Sequence, residues 1–301
     1  MAAKKTIVVV GATGIQGSSV VNIFLGLSNW HVRAMTRKPV MPLGATIVSA
    51  DLADPASLIV AFAKANAIFL NTDFWEVFYA TKAALEVENK DVAAASRKAF
   101  EYETIYRKNA ALAAAAVPTL ERIVFSSLAS VSTGGKYSRS LHPEAKNWIV
   151  EYIEHEQPAL AKKMSVIYLG AYCTNPMLHT HLPVIDPQKS TGLFVRELIE
   201  DESPGIELLA YDSDLTIGQH VEAWSKASGK EAVLVSVTTE TMHKMGALWE
   251  HLDAVDFANR YKGIYESTMP DIIRPSQLKT KVETKPFEAW LKERRWDEVL
   301  A

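Results

Sequence analysis

The apolar run Ile7-Val8-Val9-Val10 ends abruptly in Gly11-Ala12-Thr13-Gly14-Ile15-Gln16-Gly17, and a helical apolar stripe of Val20, Val21, Phe24 and Leu25 follows at once. No other stretch limits the fold so strongly. Four consecutive apolar residues read as a strand buried on both faces, the condition of a parallel sheet covered by helices. Gly11 can take the tight turn that leaves such a strand, Gly14 lets backbone come close to an anion, and Gly17 lets the helix lie near the strand. The helix N-terminus then presents unpaired N–H groups and a partial positive charge. Gly11, Thr13, Gly14, Ile15, Gln16 and Gly17 are therefore the candidate seat of a dinucleotide pyrophosphate. The spacing is G-x-x-G-x-x-G, one residue longer in its first turn than G-x-G-x-x-G.

Beyond this turn, strands and helices alternate. Strands are expected at His31–Thr36, Thr46–Ser49, Ala67–Asn71, Arg122–Ser126 and Ser165–Leu169. An alanine-rich helical region spans Val77 to Val117, interrupted near Asn89-Lys90-Asp91, and a flexible segment, Ser127–Ser140, leads to a helix starting at Pro143. The pattern predicts an α/β chain: a Rossmann-type doubly wound parallel sheet with a smaller, mainly helical C-terminal substrate lobe. Residues 1–172 form the expected nucleotide domain and 173–301 the lobe, with 189–212 packing back onto the former. Asn175-Pro176, Leu182-Pro183 and Asp186-Pro187 mark loops. Helices are expected near Leu193–Glu200, Ile217–Ser228 and Thr239–Ala258, the last carrying Met242, Met245, Trp249 and Leu252 at helical spacing as core or pocket wall.

With 48% hydrophobic and 22% charged residues among 301 and a net charge of −3, the composition is that of a globular chain. It offers no basic stripe for nucleic acid and no polybasic or long apolar segment for a membrane. The single cysteine, Cys173, excludes an internal disulfide, and the first strand starts within a few residues of Met1. Cytoplasm is the expected compartment, with the nucleus as the alternative. His179, His181 and Asp186 lack a further spaced ligand, so no metal is expected.

The second strand ends in Thr36-Arg37-Lys38, where an NAD site usually carries an acid for the ribose 2′-hydroxyl. Arg37 and Lys38 would instead neutralise a 2′-phosphate, which favours NADP(H); solvated surface charge is the plainer reading. Asp51 and Leu52 after the third strand are placed to reach adenine, and Asn71 and Thr72 after the fourth to line the ribose and diphosphate. Each could equally be a turn residue capping the next helix.

Through Val9–Gly17, Val32-Arg33-Ala34-Met35-Thr36-Arg37, Asn71-Thr72-Asp73-Phe74-Trp75, Ile123-Val124-Phe125-Ser126-Ser127-Leu128 and His142 with Lys146, the chain resembles the NmrA-like family. These are atypical short-chain dehydrogenase/reductases, including fungal NAD(P)-binding redox proteins and the isoflavone-reductase group. The likeness continues through Leu182–Pro187, Thr191–Val195 and Trp290. Ordinary short-chain dehydrogenases use Tyr-x-x-x-Lys; here the equivalent place holds His142-Pro143-Glu144-Ala145-Lys146, keeping the lysine and losing the tyrosine. The resemblance implies that Lys146 binds the nicotinamide ribose and supports a developing alkoxide or enolate, while His142, just outside the helix, or Tyr137 gives the proton. A helix cap at His142 and a solvated Lys146 are the plainer alternative. Ser126 and Ser127 fall where such enzymes place a substrate-orienting serine, and a satisfied turn hydroxyl is the alternative. Gly170, Tyr172 and Asn175 stand where the family contacts the nicotinamide carboxamide, and Phe74, Trp75 and Tyr172 are compatible pocket lining.

Two functions follow from the resemblance. One is an NADPH-dependent reductase of a carbonyl or enone in a small aromatic or polyketide-like metabolite of secondary metabolism. The other is a non-catalytic NADP-binding redox sensor that regulates a protein partner. A lyase, dehydratase or isomerase holding the nucleotide as structure ranks behind both. A small-molecule substrate is the expected partner, with a homodimer or a regulatory protein as alternatives and no direct nucleic-acid contact.

Overall fold

A computed structural model describes residues 3–37, 44–87, 93–132, 135–175, 181–261 and 263–299. The first half runs β1 (Lys5–Val10), α1 (Ile15–Leu25), β2 (Trp30–Thr36), β3 (Thr46–Ser49), α2 (Pro55–Phe62), β4 (Ala67–Leu70), α3 (Phe74–Val87), α4 (Ala93–Ala115), β5 (Arg122–Ser127) and α5 (Leu141–Glu156). It continues with α6 (Pro158–Ala161), β6 (Met164–Leu169), β7 (Ala171–Tyr172), β8 (His181–Ile185), α7 (Pro187–Glu200), β9 (Glu207–Ala210) and β10 (Ser213–Thr216). The helices α8 (Ile217–Ser228), α9 (Thr239–Lys244), α10 (Trp249–Arg260), α11 (Tyr265–Thr268), α12 (Phe287–Lys292) and α13 (Trp296–Val299) follow.

Seven parallel strands form the main sheet in the order β3-β2-β1-β4-β5-β6-β9. Both faces are apolar because side chains alternate along buried strands. Val8, Val10, Ile68, Leu70, Ile123 and Phe125 meet α2, α4 and α5 on one face. Ile7, Val9, Ala67, Phe69, Val124 and Ile167 meet α1 and α7 on the other. The chain moves outward from β1 to β3, then returns to β4 on the opposite side of β1. Such a reversal opens a crevice beyond the strand C-termini, where open α/β sheets bind ligands.

The C-terminal portion departs from the expected pattern in three places. Leu182-Pro183, expected as a loop, lies within β8, the middle strand of a second sheet ordered β10-β8-β7. Asp186-Pro187 starts α7 instead of marking a loop: the Asp186 side chain accepts from the Gln188 N–H, and Pro187 takes the first turn, where a missing N–H costs nothing. The helix expected over Thr239–Ala258 is two, α9 and α10, separated by Gly246 at φ +102°. Met242, Met245, Trp249 and Leu252 therefore share no single face, and Met245 is exposed while Leu252 is buried. The alanine-rich region is likewise two helices, α3 and α4, and Asn89-Lys90-Asp91 lies outside the described residues, as do Lys38 and His179. No helix among the described residues is long and apolar enough to cross a membrane.

Candidate active site

The glycine turn has the geometry an anion seat requires. Gly11 takes φ +73°, and the Gly14 N–H donates to its carbonyl at 2.9 Å. Gly14 caps α1 with no side-chain hydrogen bond, and the first turn of α1 holds no acid. Thr13, Gly14 and Ile15 are exposed. A Cβ on Gly17 would stand 2.1 Å from the Gly11 carbonyl oxygen, and one on Gly11 would stand 3.0 Å from that of Asn71. The turn thus lies against the C-terminal end of β4. Gln16 Nε2 donates to the Tyr172 hydroxyl at 2.7 Å, whereas Gln16 Oε1 and Asn71 Oδ1 are buried with no hydrogen-bond partner among the described residues. A glycine cradle without side chains, an uncapped helix start and orphaned amide oxygens at its border fit a nicotinamide dinucleotide. We expect Gly17→Ala to cost about 1–3 kcal/mol of stability by overpacking and to weaken NADPH binding about tenfold or more. Thermal unfolding and calorimetric titration check both, and wild-type behaviour in both would refute the steric account.

At the end of β2, Arg37 is not a free cation. Its Nη2 sits 2.6 Å from Glu76 Oε2 at the start of α3, and hydrogen bonding to Glu76 raises its pKa. Asp51 spends a carboxylate oxygen on the Ala53 N–H at 2.8 Å, and the Leu52 carbonyl accepts from Asn109 at 2.9 Å. Gly170 has a packing reason: a Cβ there would meet the Pro183 carbonyl oxygen at 2.6 Å. Tyr172 is half-buried and tied to Gln16, while Asn175 is exposed with its N–H donated to the Tyr172 carbonyl at 2.8 Å.

The densest chemistry lies where α4 and α5 cross the ends of β4 and β5. Lys146 is buried in α5, and its Nζ donates to the Thr72 carbonyl at 3.1 Å and to Glu103 Oε1 at 3.1 Å. Thr72 donates its hydroxyl to the same carboxylate oxygen. Arg107, 0% exposed, donates from Nε to Thr72 Oγ1 at 2.6 Å and to Glu103 Oε1 at 3.3 Å. Its Nη2 reaches the Ser126 carbonyl at 3.0 Å and its Nη1 the Lys146 carbonyl at 3.5 Å. Ser127 donates its hydroxyl to that Lys146 carbonyl at 2.9 Å, so it anchors α5. Burial pushes the Lys146 ammonium down and Glu103 partly restores it, leaving a pKa of about 8. Burial would raise Glu103, but Lys146 and Arg107 hold it down to about 2. Two buried cations thus share one carboxylate, and the surplus positive charge suits a developing oxyanion.

Neither expected proton donor is placed for an imidazolium or phenol acid at Lys146. His142 lies inside α5, not outside it. The helix begins two residues before Pro143 because Glu250, reaching over from α10, accepts the His142 N–H, and Ser140 donates its hydroxyl to the Glu250 carbonyl at 2.6 Å. A carboxylate distant in sequence thereby caps this helix. The His142 ring packs on Phe74 and Trp75, each with centroids 5.1 Å away. Burial, then the Lys146 charge, push its pKa to about 3, so the ring is neutral at pH 7. Tyr137 is buried with Val131 and Phe257, takes φ +61°, and its hydroxyl has no partner among the described residues. His251 of α10 stacks on Trp75 at 4.6 Å, so an indole between two imidazoles borders the Lys146 side, with Phe74 fully buried behind.

Glu103, Arg107, Glu250 and His251 escaped sequence reasoning. For the first two a signal existed: they stand on the same four-residue rung as Ala95, Ala99 and Ala111, a charged pair on the buried alanine stripe of α4.

A family model described as the NmrA-like family matches residues 3–300. The chain is 37% identical over 91 residues to the NmrA-like family domain-containing oxidoreductase notA′ of Aspergillus versicolor, covering 26% of each chain. A counterpart from Aspergillus sp. (strain MF297-2) is 38% identical over 77 residues, 23% of each chain, so the match spans about a quarter of these relatives. Among solved structures, the negative transcriptional regulator NmrA in complex with NADP aligns with a TM-score of 0.66 at 17% identity, covering 99% of this chain and 97% of that one. The same regulator with NAD aligns at 0.60 and 16% identity, covering 99% and 97%. The ternary complex of leucoanthocyanidin reductase from Vitis vinifera aligns at 0.69 and 12% identity, covering 96% and 98%.

Proposed function

Since the chain belongs to the NmrA-like family, we propose that it is an NADPH-dependent reductase of a carbonyl or enone in a small aromatic or polyketide-like metabolite, with Lys146 at the reaction centre. The observation that carries this reading is the Lys146 ammonium, buried beside the nucleotide crevice with two of its three N–H groups committed to Thr72 and Glu103. The third is available to a ribose hydroxyl or a substrate oxygen. NADPH would supply the hydride when bound. Gly11, Thr13, Gly14, Ile15, Gln16 and Gly17 would hold the pyrophosphate, with Asn71 and Thr72 beside the ribose, Asp51 and Leu52 toward adenine, and Gly170, Tyr172 and Asn175 toward the nicotinamide. Lys146 stabilises oxyanion charge and, with a pKa of about 8, gives the proton itself. This replaces His142 and Tyr137 as donors. Trp75 and His251 supply a face for a flat conjugated substrate.

The named relatives support an oxidoreductase, and solved neighbours carrying NADP or NAD support a nicotinamide dinucleotide. The test is NADPH oxidation by the purified protein against aromatic ketones, quinones and enones. Turnover of at least one class supports the reading. Tight NADPH binding without turnover of any class favours the second reading, a redox sensor, which the placement of His142 and Tyr137 away from any donor hydrogen bond to Lys146 recommends.

Preference for NADPH rests on Arg37. We expect Arg37→Ala to weaken NADPH binding about tenfold with little effect on NADH. Glu76→Gln should strengthen NADPH selectively, because Glu76 competes with a 2′-phosphate for the guanidinium. Titrations of both cofactors check this, and unchanged NADPH-to-NADH ratios in both variants would remove Arg37 from the site.

A further inference from the structure

We propose that Glu103 is the positioning residue for Lys146: its buried carboxylate holds the ammonium charged and directed at the nucleotide crevice, and Arg107 keeps that carboxylate in place. The inference rests on Lys146 standing at the reaction centre. The arrangement differs from an ordinary buried ion pair. Arg107 could close a two-pronged bridge with Glu103, the usual geometry of a structural pair. Instead it offers only Nε to the carboxylate and spends Nη1 and Nη2 on the carbonyls of Lys146 and Ser126. Glu103 Oε1 is left to collect Thr72 Oγ1, Arg107 Nε and Lys146 Nζ together, while Oε2 is buried with no partner among the described residues. The carboxylate is therefore satisfied as a base for Lys146 more than as a partner for Arg107. Thr72 completes the device, since its carbonyl fixes a second Nζ proton at 3.1 Å. Only one direction remains for the third.

The charged and titratable groups around Lys146 are Glu103 and Arg107 on α4, Asp73 after β4, and His142 one turn earlier on α5, with His251 acting on His142. Arg107 opposes the ammonium and Asp73 supports it weakly, so Glu103 is the main group that keeps it protonated. Without that charge, burial drives the lysine toward the neutral amine.

The experiment is a pH titration of the Lys146 side-chain nitrogen by NMR in the lysine-labelled full chain, with K146M used to assign the signal. E103Q preserves shape and one acceptor oxygen while removing the charge. Its Lys146 midpoint should fall by about one unit or more, and the alkaline fall in NADPH-dependent turnover should move down by the same amount. Should E103Q prove too unstable, E103D retains the charge, withdrawn by one methylene, and should lower the midpoint by less. A merely structural carboxylate would change stability and leave the midpoint where it is, and an unmoved midpoint in either variant overturns the proposal. If instead the midpoint falls while K146M binds NADPH and turns over substrate as wild type does, Glu103 controls Lys146 and the reaction-centre reading is what fails.

Discussion

Arg107→Met lowers the free energy of unfolding by about 3–5 kcal/mol, the usual cost of removing one member of a buried ion pair. Methionine fills a similar volume, so the loss is electrical. Thr72 Oγ1 loses a donor at 2.6 Å, the Ser126 carbonyl one at 3.0 Å, and Glu103 is left with Lys146 as its only cation. Stranded buried acceptors account for much of such a loss. Urea denaturation measures it, and a change under about 0.5 kcal/mol, the scale of an ordinary surface substitution, would deny the network any part in stability. Arg107→Lys restores charge but not the planar fork that serves four acceptors, so it should recover only part. The acid limb carries a sign that can be checked in the same series. Glu103 sits at about 2 in the folded chain against an ordinary 4.5. Its contribution is therefore complete above the ordinary value and disappears as pH falls toward 2.

What the sequence makes legible is what a few consecutive residues decide. The strand, glycine turn and helix from Ile7 to Leu25 are local, because four apolar residues, a positive-φ turn and a close helix approach each need particular residues in fixed order. Thr46–Ser49 and Ile217–Ser228 are legible for the same reason, the latter closed by a capping box at Thr216 and by Gly229 in the left-handed region. The start of α5 is not. Pro143 suggests a later beginning than the observed Leu141, and the carboxylate that overrules it comes from Glu250, on another helix. Proline signals misled where tertiary context decides: Asp186-Pro187 is a helix start and Pro183 a strand residue. Lys146 and Thr72 were visible as motif positions, yet their chemistry depends on Glu103 and Arg107, which composition hides among alanines. A charged pair at that spacing on a buried stripe is rare enough to have marked a site, because such groups are hardly ever buried unpaired.

Lys146→Met should lower kcat for a reducible carbonyl by about 10²–10⁴, the range typical of a lost general acid, while NADPH binding weakens by no more than about tenfold. The split follows from where each function resides. In the proposed reading the backbone of Gly11–Gly17 seats the pyrophosphate and Arg37 meets the 2′-phosphate, and neither group touches the lysine. The proposal assigns proton delivery to it, because the neighbouring imidazole is neutral and the Tyr137 hydroxyl is enclosed by Val131 and Phe257. Wild-type activity should fall as pH rises through about 8, where the ammonium is lost. In K146M the alkaline limb near pH 8 should disappear, since the ammonium that titrates there is gone. Should K146M lose NADPH binding and turnover together, Lys146 acts by holding the cofactor, and the proton comes from solvent. Should it keep the wild-type rate and the same alkaline limb, the acid is another residue, and the surplus buried charge of Lys146 and Arg107 serves to orient α4 and α5 over the strand ends.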